Sequence, residues 1–414
     1  MRKKILAIAA ILLLSVPALA QKYEHLADTP PMGWNSWNKF QRDIDEEKIT
    51  GIIDAMVSTG LRDAGYVYVN LDDCWHGQRD KDGFIQCDPK KFPHGIKWLA
   101  DYAHSRGLKL GIYSDAGYET CANKPGSLGH EYQDALQYAR WGIDYLKLDW
   151  CNAPNINVRG AYQLMSDALR AAGRPIVLSM CEWGSNKPWR WARDIGNLWR
   201  TTGDINHYFD DDAMKDLKGW HGHSVMEIIS RNDTLRQYAG PNHWNDPDML
   251  EVGNGMSTAE DRSHFTIWCM MASPLILGND LRTMSQETRD IILNKDLIAV
   301  DQDSLGIQGW HFRNEQGLQL WLKPLKNGDW AFAIMNPTKE TVKYDINWQR
   351  MNVTDPLSKR STGFDQTAYK VYNLWTHRQE GKTSLKDKKD RTVSIASHDV
   401  VAYRLQLNSQ DKKK

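Results

Sequence analysis

The chain of 414 residues carries 52 basic and 52 acidic side chains, a balance that leaves no electrostatic footprint for nucleic acid or an anionic membrane surface. A single hydrophobic core stops growing at roughly 250 to 300 residues, so this length implies more than one domain. Aromatic usage is skewed to 18 Trp and 16 Tyr against 8 Phe; flat apolar faces with polar edges suit sugar rings and suit packing equally well, so composition alone does not choose.

Residues 1–20, MRKKILAIAAILLLSVPALA, have a basic start (Arg2, Lys3, Lys4), an apolar run over 5–16 and small residues Ala18 and Ala20 before Gln21. That is the pattern of a cleavable secretory signal, and it predicts export to the periplasm or the medium. The apolar run is too short for a confident membrane span. No cysteine follows the cleavage point, so no lipid anchor is indicated. Export leads to an oxidising compartment in which the six cysteines can pair.

From 21 to 308 one theme recurs: a β-prone stretch that ends in polar or aromatic residues, then an amphipathic helical stretch. The β-prone stretches cover 32–37, 66–75, 108–117, 143–151, 175–184, 196–205, 242–250 and 274–281. Runs between them, such as GIKWLADYAHSRG and YQDALQYARWG, have apolar residues at helical spacing and end in glycine. Eight such units predict a (β/α)8 barrel. A doubly wound open sheet is the alternative, but no glycine-rich phosphate fingerprint follows the first strand. Over 309–408 the pattern changes to short alternating runs (LQLWLKPL, WAFAIMN, TVKYDINW) broken by polar turns, which predicts an antiparallel β-sandwich. Residues 409–414 read as a solvated, disordered tail.

In such a barrel the reactive groups sit at the carboxyl ends of strands. The second predicted strand ends in Asp72 and Asp73, the third passes Tyr113 and Asp115, and the fourth ends in Lys147 and Asp149. The fifth ends in Glu182 and Trp183, the sixth in Arg200 and Asp204, the seventh in Asp246 and Asp248. Any one aspartate could cap the following helix. A whole rim of carboxylates, with Trp37, Trp75, Trp150 and Trp183 on the same side, reads instead as a pocket for a polyhydroxylated ring. No closely spaced Cys/His pairs suggest zinc, and the NDPD stretch lacks a calcium loop's spaced ligand set, so no metal or other cofactor is expected.

Together TPPMGWNSWNKF, NLDDCWHGQRDKDGF, YLKLDWC, CEWG, NHWNDPDML and ASPLILGNDLR resemble, in order, the melibiase-type α-galactosidases of glycoside hydrolase family 27. The resemblance runs from Thr29 to Gly306 and implies a retaining exo-glycosidase acting on terminal α-linked galactose. It implies Asp149 as nucleophile and Asp204 as acid/base. Asp72 and Asp73 would hold the hydroxyls that set galactose apart, and Lys147, Arg200, Asp248 and Tyr113 would contact others. Trp37 would lie against the sugar's apolar face, and Glu182 and Trp183 near the 2-position. Cys121 and Cys151 match the family's disulfide beside the active site, and Cys74 with Cys87 is a weaker candidate pair. Lys147 should favour the ionised form of Asp149, and the charge of Asp149 should help Asp204 keep its proton. The expected partner is a galactose-containing saccharide; a homo-oligomer is compatible with the sequence, which fixes no oligomeric state. The rival activities are a β-L-arabinopyranosidase and an α-N-acetylgalactosaminidase on the same scaffold; a non-catalytic carbohydrate-binding protein is the rival of another class.

Overall fold

The computed structural model describes residues 22–219, 221–383 and 391–407. The signal reading over 1–20 and the tail over 409–414 lie outside them. Ten strands precede the composition change: β1 (Met32–Asn35), β2 (Tyr68–Asn70), β3 (His76–Arg79), β4 (Ile85–Cys87), β5 (Lys109–Asp115), β6 (Tyr145–Asp149), β7 (Val177–Cys181), β8 (Leu198–Arg200), β9 (Trp244–Asp246) and β10 (Leu275–Leu277). β3 and β4 form a hairpin, and the other eight make one parallel sheet ordered β10-β1-β2-β5-β6-β7-β8-β9. Past β9, Leu250 donates its N–H to Ile276 O at 2.8 Å and accepts from Gly278 N–H at 3.2 Å, which brings the two ends of the sheet together. The predicted eight-stranded barrel is therefore present, with helices between its strands.

Those helices are α1 (Trp37–Phe40), α2 (Glu46–Ser58), α3 (Gly95–His104), α4 (Glu131–Trp141), α5 (Val158–Ala171), α6 (Val225–Asp233), α7 (Thr258–Met270), α8 (Gln286–Ile292) and α9 (Lys295–Asp301). α7 opens with a reciprocal cap, Ser257 with Glu260, that satisfies two backbone donors. Because a parallel strand is covered on both faces, β6 buries nearly its whole length. Leu146 and Leu148 join the core under the helices, Tyr145 joins the cluster inside the barrel, and strand alternation sets Lys147 and Asp149 on the Tyr145 side.

The second unit comprises β11 (Trp310–Glu315), β12 (Leu318–Pro324), β13 (Trp330–Met335), β14 (Val342–Ile346), β15 (Asn352–Asp355), β16 (Arg360–Gly363), β17 (Tyr369–Asn373), β18 (Arg378–Lys382), β19 (Arg391–Ile395) and β20 (Val400–Leu407). A six-stranded antiparallel sheet, β11-β12-β13-β20-β17-β18, is accompanied by the pairs β14-β19 and β15-β16. Alternation along β13 explains the layering. Trp330, Phe332 and Ile334 enter a core shared with Tyr344, Ile346 and Val353, while Ala331, Ala333 and Met335 join the barrel's core. The small side chains let the sheet lie close to α7, which is why α7 is buried on most of its surface. Lys323 crosses the junction, donating to Cys269 O at 2.9 Å and Val300 O at 2.7 Å. Among the described residues no helix is long and apolar enough to cross a membrane.

Candidate active site

At the carboxyl ends of the barrel strands lies a cavity of about 490 Å3. Its lining includes Trp37, Asp72, Asp73, Tyr113, Lys147, Asp149, Trp183, Arg200, Asp204 and Asp248, so all but one of the sequence-predicted catalytic and sugar-binding residues converge there. The exception is Glu182: it is fully buried and turns to Asn186, accepting from its N–H at 2.6 Å and its Nδ2 at 2.8 Å. Burial pushes the Glu182 carboxyl up to about 7. Its acceptors hold the turn after Trp183, which itself sits at a left-handed φ of 55°.

Asp149 ends β6 with 5% of its surface exposed. The Tyr113 hydroxyl donates to its Oδ2 at 3.1 Å and the Trp150 N–H to its Oδ1 at 2.9 Å, so both oxygens are held in place. The direct partner of Lys147 is Asp72, at 2.8 Å, rather than Asp149. Burial pushes the Asp149 carboxyl up to about 6; the charge of Lys147 opposes the rise and that of Asp204 adds to it. The lysine therefore favours the ionised form, as expected, but only moderates a shift that desolvation dominates.

Asp204 follows β8 and exposes 37% of its side chain. Arg200 reaches it at 3.2 Å and Asp248 at 2.6 Å, forming a two-carboxylate fork on one guanidinium. The loop bearing Asp204 is pinned by backbone bonds to 222–223: His223 N–H donates to Asp204 O, and Asn206 N–H to His223 O, both at 2.8 Å. Gly222 is required at that crossing, with φ at 74° and only 2.6 Å between Asp204 O and where a Cβ would stand. Asp248, also left-handed at φ 91°, accepts from Ile205 N–H at 2.9 Å, and burial pushes its carboxyl up to about 6 against the pull of Arg200.

On the opposite wall Asp72 accepts from Asn35 Nδ2 at 2.9 Å as well as from Lys147. Asp73 accepts from Cys74 N–H at 2.6 Å, Thr120 Oγ1 at 3.0 Å and Ala122 N–H at 2.9 Å, and its carboxyl is raised by burial. Of the four tryptophans expected at the rim, Trp37 and Trp183 line the cavity. Trp75 is buried, stacked on His76 and edge-on to Trp141, and Trp150 packs on Tyr162. Asn38, Cys121, Gly203 and Met249 complete the lining. Asn38 and Met249 each directly follow a predicted site residue, but an amide and a thioether carry no titration signal by which a sequence singles them out.

Cys121 and Cys151 form a disulfide with a Cα–Cα distance of 5.2 Å, joining the loop after β5 to the end of β6. Asp115 braces the same junction, accepting from Gly117 N–H at 2.6 Å and Cys151 N–H at 2.7 Å; burial and the nearby Asp149 push its carboxyl up to about 8. Ligating atoms of Asp115, Cys121, Asp149 and Cys151 lie within 4.8 Å of one another, but both sulfurs are consumed in the disulfide, which leaves no thiolate to offer a metal. The weaker pair, Cys74 with Cys87, is not formed: both are free thiols. Cys87 is registered opposite His76, so Cys74 falls beyond it on the hairpin, and the Cys87 sulfur turns to Phe92 O at 3.7 Å. Breaking the real disulfide by Cys121→Ser should remove about 3 to 4 kcal/mol of stability, given a loop of separation 30. Guanidinium unfolding reads this, and an unchanged midpoint would show that the bridge constrains nothing.

The chain matches the family model described as alpha galactosidase A over residues 29–303 and the one described as alpha galactosidase C-terminal beta sandwich domain over 315–405. It is 50% identical over 408 residues to an alpha-galactosidase A of Cellvibrio japonicus, covering 98% of this chain and 99% of the relative. It is 44% identical over 386 residues to an alpha-galactosidase of Oryza sativa, covering 92% and 86%. The crystal structure of alpha-galactosidase I from Mortierella vinacea superposes with a TM-score of 0.84 at 37% identity, covering 93% of this chain and 99% of that one. With this family's barrel and sandwich models matched in order, and a cavity lined by carboxylates at the strand ends, the chain belongs to the melibiase-type α-galactosidases of glycoside hydrolase family 27.

Proposed function

We propose that this glycoside hydrolase, which removes terminal α-linked galactose, works by double displacement with Asp149 as nucleophile and Asp204 as acid/base. The observation that carries the reading is that both carboxylates line one cavity, Asp149 buried and held by two donors, Asp204 partly open to solvent. Asp149 attacks the anomeric carbon while the bond to the leaving oxygen breaks and Asp204 gives that oxygen its proton. Water then attacks the same carbon, Asp204 takes the water's proton, and Asp149 leaves. Asp72, Asp73, Lys147, Arg200 and Asp248 grip the galactose hydroxyls, with Trp37 on the apolar face. A misplaced hydroxyl would leave these buried charges unpaired, which is how an epimer is refused. Trp183 crowds the 2-position against an acetamido group, and Glu182 supports it from behind through Asn186.

Proton NMR of the first product tests the mechanism: α-galactose should appear before the β-anomer, and β-galactose first would rule out double displacement. A panel of 4-nitrophenyl α-galactoside, β-L-arabinopyranoside and α-N-acetylgalactosaminide tests the sugar; the first should be cleaved fastest, and preference for either of the others hands the site to that rival.

A pH profile follows from Asp149, which must be ionised to attack. With its carboxyl raised to about 6, kcat/KM should fall tenfold per pH unit below about that pH. Lys147→Met removes a charge that favours the carboxylate, so the acid limb should move to higher pH. A limb that stays put would separate Lys147 from the titration of Asp149. We also infer that residues 1–20 direct export and are removed, and that the barrel spans 21–308 and the sandwich 309–408. A mature protein recovered from periplasm or medium with Gln21 at its start checks the first point.

A further inference from the structure

The loop that carries Asp204 leaves the cavity and runs to the β-sandwich. On the way it is zipped to the start of α6: Val225 N–H donates to Tyr208 O and Met226 N–H to Phe209 O, both at 3.0 Å. At its far end Phe209 is buried, and its ring stacks on that of His398 with centroids 4.7 Å apart. His398 belongs to the other unit, in the turn between β19 and β20. Its Nδ1 lies 2.8 Å from Glu260 Oε1. Its Nε2, shut off from solvent, faces Asp210 Oδ2 at 3.6 Å, an ion-pair rather than a hydrogen-bond distance.

Both sides of this contact are fixed. Glu260 Oε2 accepts from Ser257 N–H at 2.8 Å and from its Oγ at 2.9 Å in the cap of α7, so Glu260 Oε1 offers His398 a stationary acceptor. The turn is tied to α7 as well, with Ser263 Oγ donating to His398 O at 2.6 Å and Arg262 paired to Asp399 at 2.9 Å. On the loop, Asp210 Oδ1 accepts from Ala213 N–H at 2.9 Å, which leaves Oδ2 for the imidazole. Lys339 of the sandwich also pairs with Asp212, at 2.6 Å, but both side chains are largely exposed and such a pair contributes little.

Resting on the assignment of Asp204 as the acid that protonates the leaving oxygen, we infer that His398 is a positioning residue for it: through Phe209 and Asp210 the sandwich sets where Asp204 stands, without touching the sugar. The two carboxylates of the cavity differ in how they are held. Asp149 has a donor on each oxygen. Asp204 has Arg200 at 3.2 Å and a side chain 37% exposed, so its place is inherited from the backbone of its loop. A shift too small to matter for folding still lengthens the path of the proton, and proton transfer depends steeply on that geometry.

The test compares two substrates that differ in their need for a proton: the disaccharide of galactose α-linked to glucose O6, and 2,4-dinitrophenyl α-galactoside. His398→Phe keeps a ring on Phe209 and removes both nitrogens. It should lower kcat/KM for the disaccharide about five- to tenfold, as expected of a misplaced group, and leave that for the dinitrophenyl substrate within about twofold of the parent. Asp210→Asn keeps the oxygen that caps 211–213 and removes the charge facing Nε2. It should split the substrates in the same direction, and adding it to His398→Phe should deepen the larger single loss by less than about twofold, because both changes break one contact. A fall shared equally by the two substrates would make His398 a general support of the fold, and no fall on the disaccharide would give the turn no part in catalysis; either result overturns the proposal, as do losses that multiply in the double variant. Asp204→Ala serves as the reference: if it does not separate the two substrates, the acid assignment itself has failed and the role of His398 falls with it.

Discussion

An Asp149→Gly variant should hydrolyse α-galactosides at least roughly 10⁴-fold more slowly than the parent, because the proposed mechanism takes its glycosyl ester through that carboxylate. The change removes one carboxylate and leaves its two donors, Tyr113 Oη and Trp150 N–H, without that acceptor. Lys147 keeps its own partner, Asp72 at 2.8 Å, so the removal strands no buried cation and the rim should hold its shape. Glycine also leaves room for a small anion where the carboxylate stood. With a substrate whose leaving group needs little help, azide should restore turnover and give β-galactosyl azide, the product of one inversion. An α-azide product, or a loss of under a hundredfold, would move the nucleophile elsewhere.

The barrel is legible in the sequence because its strands end in chemistry: the second to the seventh predicted stretches each deliver a charged or aromatic residue to the cavity, and glycine-terminated helical runs separate several of them. The aromatic excess is less informative. Trp34, Trp199, Trp244, Trp268, Trp321 and Trp330 are fully buried, each filling a core, and among the described residues only Trp37 and Trp183 line the cavity. Nothing local separates these cases, since burial of a tryptophan is decided by which element packs on it. Glu182 shows the same limit at one residue: it stands beside Trp183 at a strand end, yet the left-handed turn at Trp183 sends the two side chains to different surroundings. The proton affinity of Asp149 escapes the sequence for a related reason. Spacing puts Lys147 on its side of the strand, but only the three-dimensional arrangement gives Lys147 to Asp72 and makes burial the larger effect.

Replacing Asp204 with alanine should split the two half-reactions. A sugar leaving group needs its oxygen protonated, so turnover of a disaccharide should fall by about 10² to 10⁴. A 2,4-dinitrophenyl galactoside needs no proton, so Asp149 should still be galactosylated at close to the parental rate, followed by slow hydrolysis of the ester for lack of a base to activate water. The expected trace is a burst of dinitrophenolate equal to the enzyme present, then a slow steady state. Azide, which requires no base, should accelerate that steady state and yield α-galactosyl azide, the product of two inversions, in contrast to the β-azide from Asp149→Gly. Arg200 retains Asp248 at 2.6 Å after the change, and the Asp204 loop remains pinned through its backbone to His223, so a general collapse of the site is not expected. Equal loss on both substrates with no burst would mean that Asp204 binds sugar without moving protons. Opposite azide anomers from the two variants would assign each carboxylate its face of the sugar, since only the order of one against two inversions distinguishes attack by azide on the free glycoside from attack on the glycosyl-enzyme.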